Sequence, residues 1–285
     1  MTEMQVARSI GDLRALLAPL RAESSIGFVP TMGALHDGHL SLVALARDAA
    51  EVCVMSIFVN PLQFGPTEDL ARYPRPLDAD LELARGAGVD VVFLPSVDEM
   101  YPEGATTTVV PGPVADVLEG AHRPGHLAGV ATVVAKLFNI VDPDVAIFGQ
   151  KDAQQVAVIK AMVRDLDFEV RIEVGPTIRE PDGLAMSSRN RYLDIEQRQR
   201  ALALYEALQA GEASLRAGGS PEDAEHQMHE VFGAAGLETD YAAAVDPLDL
   251  SSPATGDVLL VVAARVGSTR LIDNLLVKAS QRGTS

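Results

Sequence analysis

Short apolar runs alternate along much of the chain with segments whose apolar residues recur at helical spacing. Residues 26–29, 52–58, 89–94, 145–148 and 168–174 read as strands. The run 52–58 is apolar on both faces, as an interior strand of a parallel sheet is. Between these runs, helical spacing marks 38–50, 77–87 (closed by Gly88), 130–141 and 152–166. The alternation predicts an α/β fold, a doubly wound, Rossmann-like parallel sheet with helices on both faces. Past about residue 180 the rhythm changes. One long helix is expected over 194–216, a break at Gly218-Gly219-Ser220-Pro221, a second helix over 221–235, and strands over 241–245 and 258–265. The expected organisation is a nucleotide- and substrate-binding domain over 1–180 and a smaller C-terminal α+β domain over 181–285, which forms a lid over the site.

Composition narrows the class of partner. The net charge of −17 argues against nucleic acid and anionic membranes, whose phosphates need a basic surface. Cys53, the single cysteine, lies in an apolar run and reads as a small core residue; one cysteine makes no disulfide within the chain. The start Met1-Thr2-Glu3-Met4-Gln5 has neither a basic nor an apolar leader region, and no run approaches the ~18 apolar residues of a membrane span. A cytoplasmic protein is expected.

In open α/β sheets, ligands bind beyond the carboxyl ends of the strands. Four loops there concentrate glycine and polar residues. The first, 30–39, ends His36-Asp37-Gly38-His39; the two histidines share one face at a helix start, where N–H groups and the dipole suit phosphate. Histidines that only cap or pack the helix start are the plainer reading. The second, 60–65, carries Asn60 and Gln63, neutral amides that both donate and accept, as a hydroxy acid requires; an Asn-Pro turn is the alternative. The third is Gly149-Gln150-Lys151-Asp152-Ala153-Gln154-Gln155. Its lysine is one of only four among 23 Lys and Arg, and it stands at a strand-to-helix junction without P-loop spacing. The fourth, 177–191, places Ser187 and Ser188 beside Arg189 and Arg191, an anion clamp or a polar capping loop. By contrast, the spaced pair His226 and His229 sits among Glu and Gln and reads as a solvated helix face.

Loop one resembles the His-x-Gly-His signature of the nucleotidyltransferase superfamily. The longer string Pro-Thr-Met-Gly-Ala-Leu-His-x-Gly-His is similar to one family within it, the pantothenate synthetases. Phe58-Val59-Asn60-Pro61-Leu62-Gln63-Phe64, Phe148-Gly149-Gln150-Lys151-Asp152-Ala153-Gln154-Gln155 and Leu184-Ala185-Met186-Ser187-Ser188-Arg189-Asn190 resemble further motifs of that family, in the family's order. The resemblance implies an AMP-forming carbon–nitrogen ligase. It would join pantoate to β-alanine at the expense of ATP, through a pantoyl adenylate, in coenzyme A precursor biosynthesis.

By the same resemblance, His39, His36, Lys151 and Arg189 are the catalytic candidates. Met32, Gly33, Ala34, Leu35, His36, Asp37, Gly38, His39, Gly149, Gln150, Lys151, Asp152, Ile178, Met186, Ser187, Ser188 and Arg189 would contact ATP. Gln63, Gln155 and Asn60 would hold pantoate and β-alanine. Asp80 stands where the family has acids near the metal, with Ala79 where some members carry a second acid; Mg²⁺ would be held mainly by the ATP phosphates. Arg123 and His126, in a stretch with Leu127 where the family usually has Phe, are candidates for phosphate or pantoate contact or for a plain turn. A homodimer is implied. The alternatives are another nucleotidyltransferase, which has no reason for the Asn60/Gln63/Gln155 amides, and a regulatory ATP-binding protein without chemistry, against which His36, His39 and Lys151 count.

Overall fold

The structure, a computed structural model, describes residues 3–66, 68–253 and 256–279; Met1 and Thr2, at the start of the segment read as lacking a leader, lie outside it. The chain divides into two compact units. The first comprises 1–150 and 158–176, the second 151–157 and 177–285. The division therefore falls four residues before the 180/181 boundary expected from sequence, and a short inner segment goes with the second unit.

The first unit follows the alternating rhythm: β1 (Gln5–Ala7), α1 (Ile10–Arg21), β2 (Ile26–Thr31), α2 (Asp37–Ala49), β3 (Val52–Ile57), α3 (Leu77–Ala87), β4 (Val91–Phe93), short helices α4 (Val97–Met100) and α5 (Glu119–His122), α6 (His126–Val141), β5 (Val145–Gly149), α7 (Ala153–Asp165) and β6 (Arg171–Gly175). All six strands are parallel, in the order β1-β4-β3-β2-β5-β6. The order reverses between β2 and β5, the place where doubly wound sheets open a ligand crevice. The register shows the opening. β2 pairs with β3 up to Thr31↔Ile57, but with β5 only up to Phe28↔Ala146. Pro30, which has no N–H to give a ladder, stands two residues past the last β2–β5 pair. The core beneath it includes Val29, Val43, Ala46, Met55, Val92 and Ile147, all fully buried. Cys53 belongs to this core, and burial together with the nearby charge of Asp90 pushes its thiol up to about 12.

The second unit holds α8 (Ile195–Ala201), α9 (Ala203–Arg216), α10 (Pro221–Ala235) and an antiparallel sheet in the order β7 (Glu238–Val245), β8 (Val258–Val266), β9 (Thr269–Val277). The single helix expected over 194–216 is broken at Leu202. There the N–H groups of Leu202 and Tyr205 turn to carbonyls three residues back, Gln199 and Leu202, which tightens one turn. Phe232, Met228, Leu204, Leu208 and Leu260 pack as its core. His226 and His229 are exposed on α10, as their neighbours suggest, and His226 lies 3.6 Å from Glu230.

Five elements were not foreseen, the short helices α4 and α5 among them. β1 is too short to show a period. α1 carries Pro19 inside it, and β9 is interrupted by the polar pair Asp273-Asn274.

Candidate active site

In the first unit, the reversal point is flanked by the loop that leaves β2 and by Gly149, the end of β5, with Gln150 next along the chain. His36 is the N-cap of α2 and His39 its third residue. Their ring centroids are 4.1 Å apart, tilted by 42°. The His36 N–H donates to His39 Nδ1 at 3.3 Å, which places the proton of a neutral His39 ring on Nε2. The pair therefore does cap the helix start, and the capping fixes the ring that also suits chemistry. At the head of any helix the first N–H groups have no carbonyl one turn earlier; in α2 these include Asp37 and Gly38.

Loop two meets loop one through side chains. Gln63 Nε2 donates to Met32 Sδ at 3.0 Å, and Asn60 Nδ2 donates to Gln63 Oε1 at 3.1 Å. Asn60 also donates to the Gly129 carbonyl at 3.1 Å and accepts from the Tyr101 hydroxyl at 2.8 Å. Both amides are buried, Asn60 completely and Gln63 to 8% exposure. The expected Asn-Pro turn exists too: Leu62 N–H donates to Asn60 Oδ1 at 3.3 Å.

Arg123 and His126 serve this loop. Arg123 forks onto Glu68 with two 2.7 Å bonds and reaches the Gln63 carbonyl at 3.4 Å, to which His126 Nδ1 donates at 2.8 Å. Burial, with Arg123 adding to it, pulls His126 down to about 4, so the ring is neutral at pH 7 and its proton sits on Nδ1. Beside loop one, Met32, Phe58, Val59, Arg75, Leu94 and Val97 are among the walls of an apolar cavity of about 300 Å³ at the carboxyl ends of β2, β3 and β4.

Gly129, in the first turn of α6, was not read as functional. In the sequence it stands just ahead of the helix read over 130–141, where a glycine carries no signal of its own. A Cβ there would lie 2.2 Å from the Leu62 carbonyl oxygen and 2.7 Å from the Gln63 nitrogen. Gly129→Ala is expected to push loop two off α6. The cost should be about 1–3 kcal/mol of stability and a raised KM for the acid substrate, checked by thermal unfolding and steady-state kinetics.

The second unit carries the other candidates. Lys151 and Asp152 lie in the turn before α7, with Lys151 Nζ 3.9 Å from Asp152 Oδ1, and Gln155 is half-buried on α7. Loop four is a tight hairpin: Met186 N–H donates to the Ile178 carbonyl at 2.9 Å and Glu180 N–H to that of Leu184 at 2.8 Å. Asn190 ties it down from behind, donating to Glu180 Oε1 at 2.7 Å and to the Ala185 carbonyl at 3.0 Å. Ser187 caps the turn 188–192 by accepting from Arg189 N–H at 3.3 Å. Ser188 is buried, while Ser187 and Arg189 are partly open. Lys151 and Ser187 line one narrow cleft with Asp273 and Asn190. Asp273, 3% exposed, accepts a fork from Arg179 at 2.6 and 3.1 Å, and Arg179 stacks 3.8 Å above the Tyr205 ring.

This chemistry has counterparts among known proteins. The family model for pantoate-beta-alanine ligase matches residues 5–276. The pantothenate synthetase of Acidothermus cellulolyticus is 52% identical over 276 residues, covering 95% of this chain and 90% of that protein. That of Moorella thermoacetica is 52% identical over 282 residues, covering 97% and 100%. Among solved structures, pantothenate synthetase from Thermus thermophilus superposes with a TM-score of 0.93 at 49% identity, covering 97% of this chain and 100% of that one. The pantoate-beta-alanine ligase of Francisella tularensis, solved with beta-gamma ATP and beta-alanine, gives 0.81 at 36% identity, covering 96% and 97%. Paired histidines at the reversal point, the amide pair beside them and a match running nearly end to end make this chain a member of the pantoate–β-alanine ligase family.

Proposed function

We propose that the chain joins pantoate to β-alanine with cleavage of ATP to AMP and pyrophosphate. The carrying observation is the contact between the His-x-Gly-His loop and a buried neutral amide pair, Gln63 Nε2 to Met32 Sδ at 3.0 Å with Asn60 behind it. A nucleotidyltransferase acting on another group needs the histidines and not the amides. Amides that donate and accept suit an acid bearing hydroxyl groups.

In the first step the pantoate carboxylate attacks the α-phosphate and pyrophosphate leaves. In the second, the β-alanine amine attacks the acyl carbon and AMP leaves. A free carboxylate is a poor acyl donor, and adenylation supplies the leaving group. The protein's work is positioning and neutralising charge. His36 and His39 offer donors where charge builds on the α-phosphate. Lys151, Ser187, Ser188 and Arg189 are assigned to the phosphates, with Gly149, Gln150, Asp152, Ile178 and Met186 along the rest of the nucleotide. Gln63 and Gln155 are assigned to pantoate; Asn60, expected beside them, is fully buried with its amide bonded to Gln63, Gly129, Leu62 and Tyr101, so it holds Gln63 in place. Mg²⁺ is assigned to the ATP phosphates as their counter-ion, where it lowers the charge the side chains must meet. The family resemblance also carries the expectation of a cytoplasmic homodimer.

The decisive experiment is exchange of labelled pyrophosphate into ATP without β-alanine. Exchange that requires pantoate supports the adenylate step. Folded protein that binds ATP and shows no exchange with pantoate would sink it.

A further inference from the structure

Loop one turns through two successive left-handed residues, Gly33 at φ +78° and Ala34 at φ +51°. A turn of this kind aims consecutive N–H groups at one concave spot, which attracts an anion. Here the anion belongs to the chain. Asp80 Oδ2 accepts the Ala34 N–H and Oδ1 the Leu35 N–H, each at 2.8 Å. On either side, Gly33 N–H goes to Thr31 Oγ1 at 3.2 Å and His36 N–H to His39 Nδ1 at 3.3 Å. The amides of Gly33, Ala34, Leu35 and His36 are thus committed inside the protein, and backbone donation to a phosphate falls to the head of α2. A Cβ on Gly33 would lie 2.8 Å from Asp80 Oδ2, so the carboxylate packs directly on the glycine.

We infer that Asp80 is a positioning residue for adenylation: its buried carboxylate fills the backbone nest of loop one and sets the point at which His36 and His39 enter α2. This rests on the ligase reading. Asp80 is 2% exposed with an amide on each oxygen, which does not suit it to holding a metal ion. Among the described residues, no group of three or more His, Cys, Asp or Glu side chains is placed to hold one. Leu35 and His36 lead straight into the helix, so a change at Asp80 is passed along the backbone toward the two rings.

The test uses Asp80→Asn, which keeps the shape but turns an NH₂ toward one backbone N–H. Gly33→Ala is the second variant; it keeps the carboxylate but places a Cβ 2.8 Å from it, so the contact must shift. For each, the expected results are a fall of about tenfold or more in kcat for pantoate-dependent pyrophosphate exchange and an unchanged half-saturating Mg²⁺ concentration. Hydrogen exchange at the Ala34 and Leu35 amides should be faster by NMR. Asp80→Asn with unchanged protection at those two amides overturns the inference, as does a raised Mg²⁺ requirement, the mark of a metal ligand. Wild-type protein run alongside separates the two readings. If it shows no pantoate-dependent exchange, the ligase reading fails and the catalytic assignment of Asp80 fails with it. The amide measurement, which needs no turnover, still reports whether Asp80 holds the loop.

Discussion

His39→Ala is expected to slow pantoate-dependent pyrophosphate exchange by about 10²- to 10³-fold, the usual cost of removing one preorganised donor from a site of developing charge. The fold should survive. His39 is half-buried, and the capping bond it accepts from the His36 N–H is worth about 1 kcal/mol. The loss should therefore fall on kcat at saturating ATP and pantoate, with thermal unfolding close to wild type. The geometry gives the reason. With Nδ1 occupied by a backbone N–H, the neutral ring presents its proton from Nε2, and it does so without rearrangement when charge forms. Exchange within about tenfold of wild type would show that His39 is only a cap and shift the assignment to His36.

The second large effect is on stability. Arg179→Ala is expected to cost about 3–5 kcal/mol, because it strands a buried carboxylate; that corresponds to a fall of roughly 10 °C in the unfolding midpoint. Asp273 is 3% exposed and Arg179 supplies both of its forked bonds. Burial raises the Asp273 carboxyl above its ordinary range even with Arg179 pulling it down and Lys151 adding a weaker pull. A raised native value means that the folded state binds this proton more tightly than the unfolded chain. The charged form is then a cost above the native pKa, and the cost vanishes as pH falls through it. Without Arg179 the value rises further, so the deficit against wild type should narrow on acidification. Chemical denaturation at pH 7 and pH 5 measures this. A deficit that widens at pH 5 would mean that the pair is not what holds the loop. Arg179→Lys should recover little, since an ammonium cannot fork onto the carboxylate or stack on Tyr205 as the guanidinium does.

What was legible in the sequence was whatever follows a period or a motif. The four interior strands, β2 to β5, announced themselves because a parallel strand covered on both faces is mostly apolar; β6, at the sheet edge, shows instead by apolar residues alternating with charged ones, and each of the four loops follows one of these strands. What failed to show depends on partners far along the chain. Asp273 and Asn274 look like an interruption of a strand. They are buried inside β9 because Arg179 answers one and the Lys151 carbonyl answers the other, at 2.8 Å from Asn274 Nδ2. Gly129 reads as a residue just ahead of a helix until the backbone of Leu62 is seen against it. Asp80 reads as an acid near the metal, since nothing in its neighbours along the chain reveals the two amides of loop one that it accepts. The break at Leu202 has no glycine or proline to mark it. Arg123 and His126 sit in a motif, yet their task, gripping the Gln63 carbonyl, is visible only once the chain is folded.

The chain passes between its two units three times, after residues 150, 157 and 176. The second unit is therefore not a cassette. A fragment or chimera beginning at Thr177 would leave behind 151–157, and with it the carbonyl that satisfies the buried Asn274 amide. Grafting this unit between relatives, or splitting the gene into complementing halves, has to carry the short inner segment along. A cut at 176/177, the one junction that a linear map of the domains would suggest, separates the two segments of this unit.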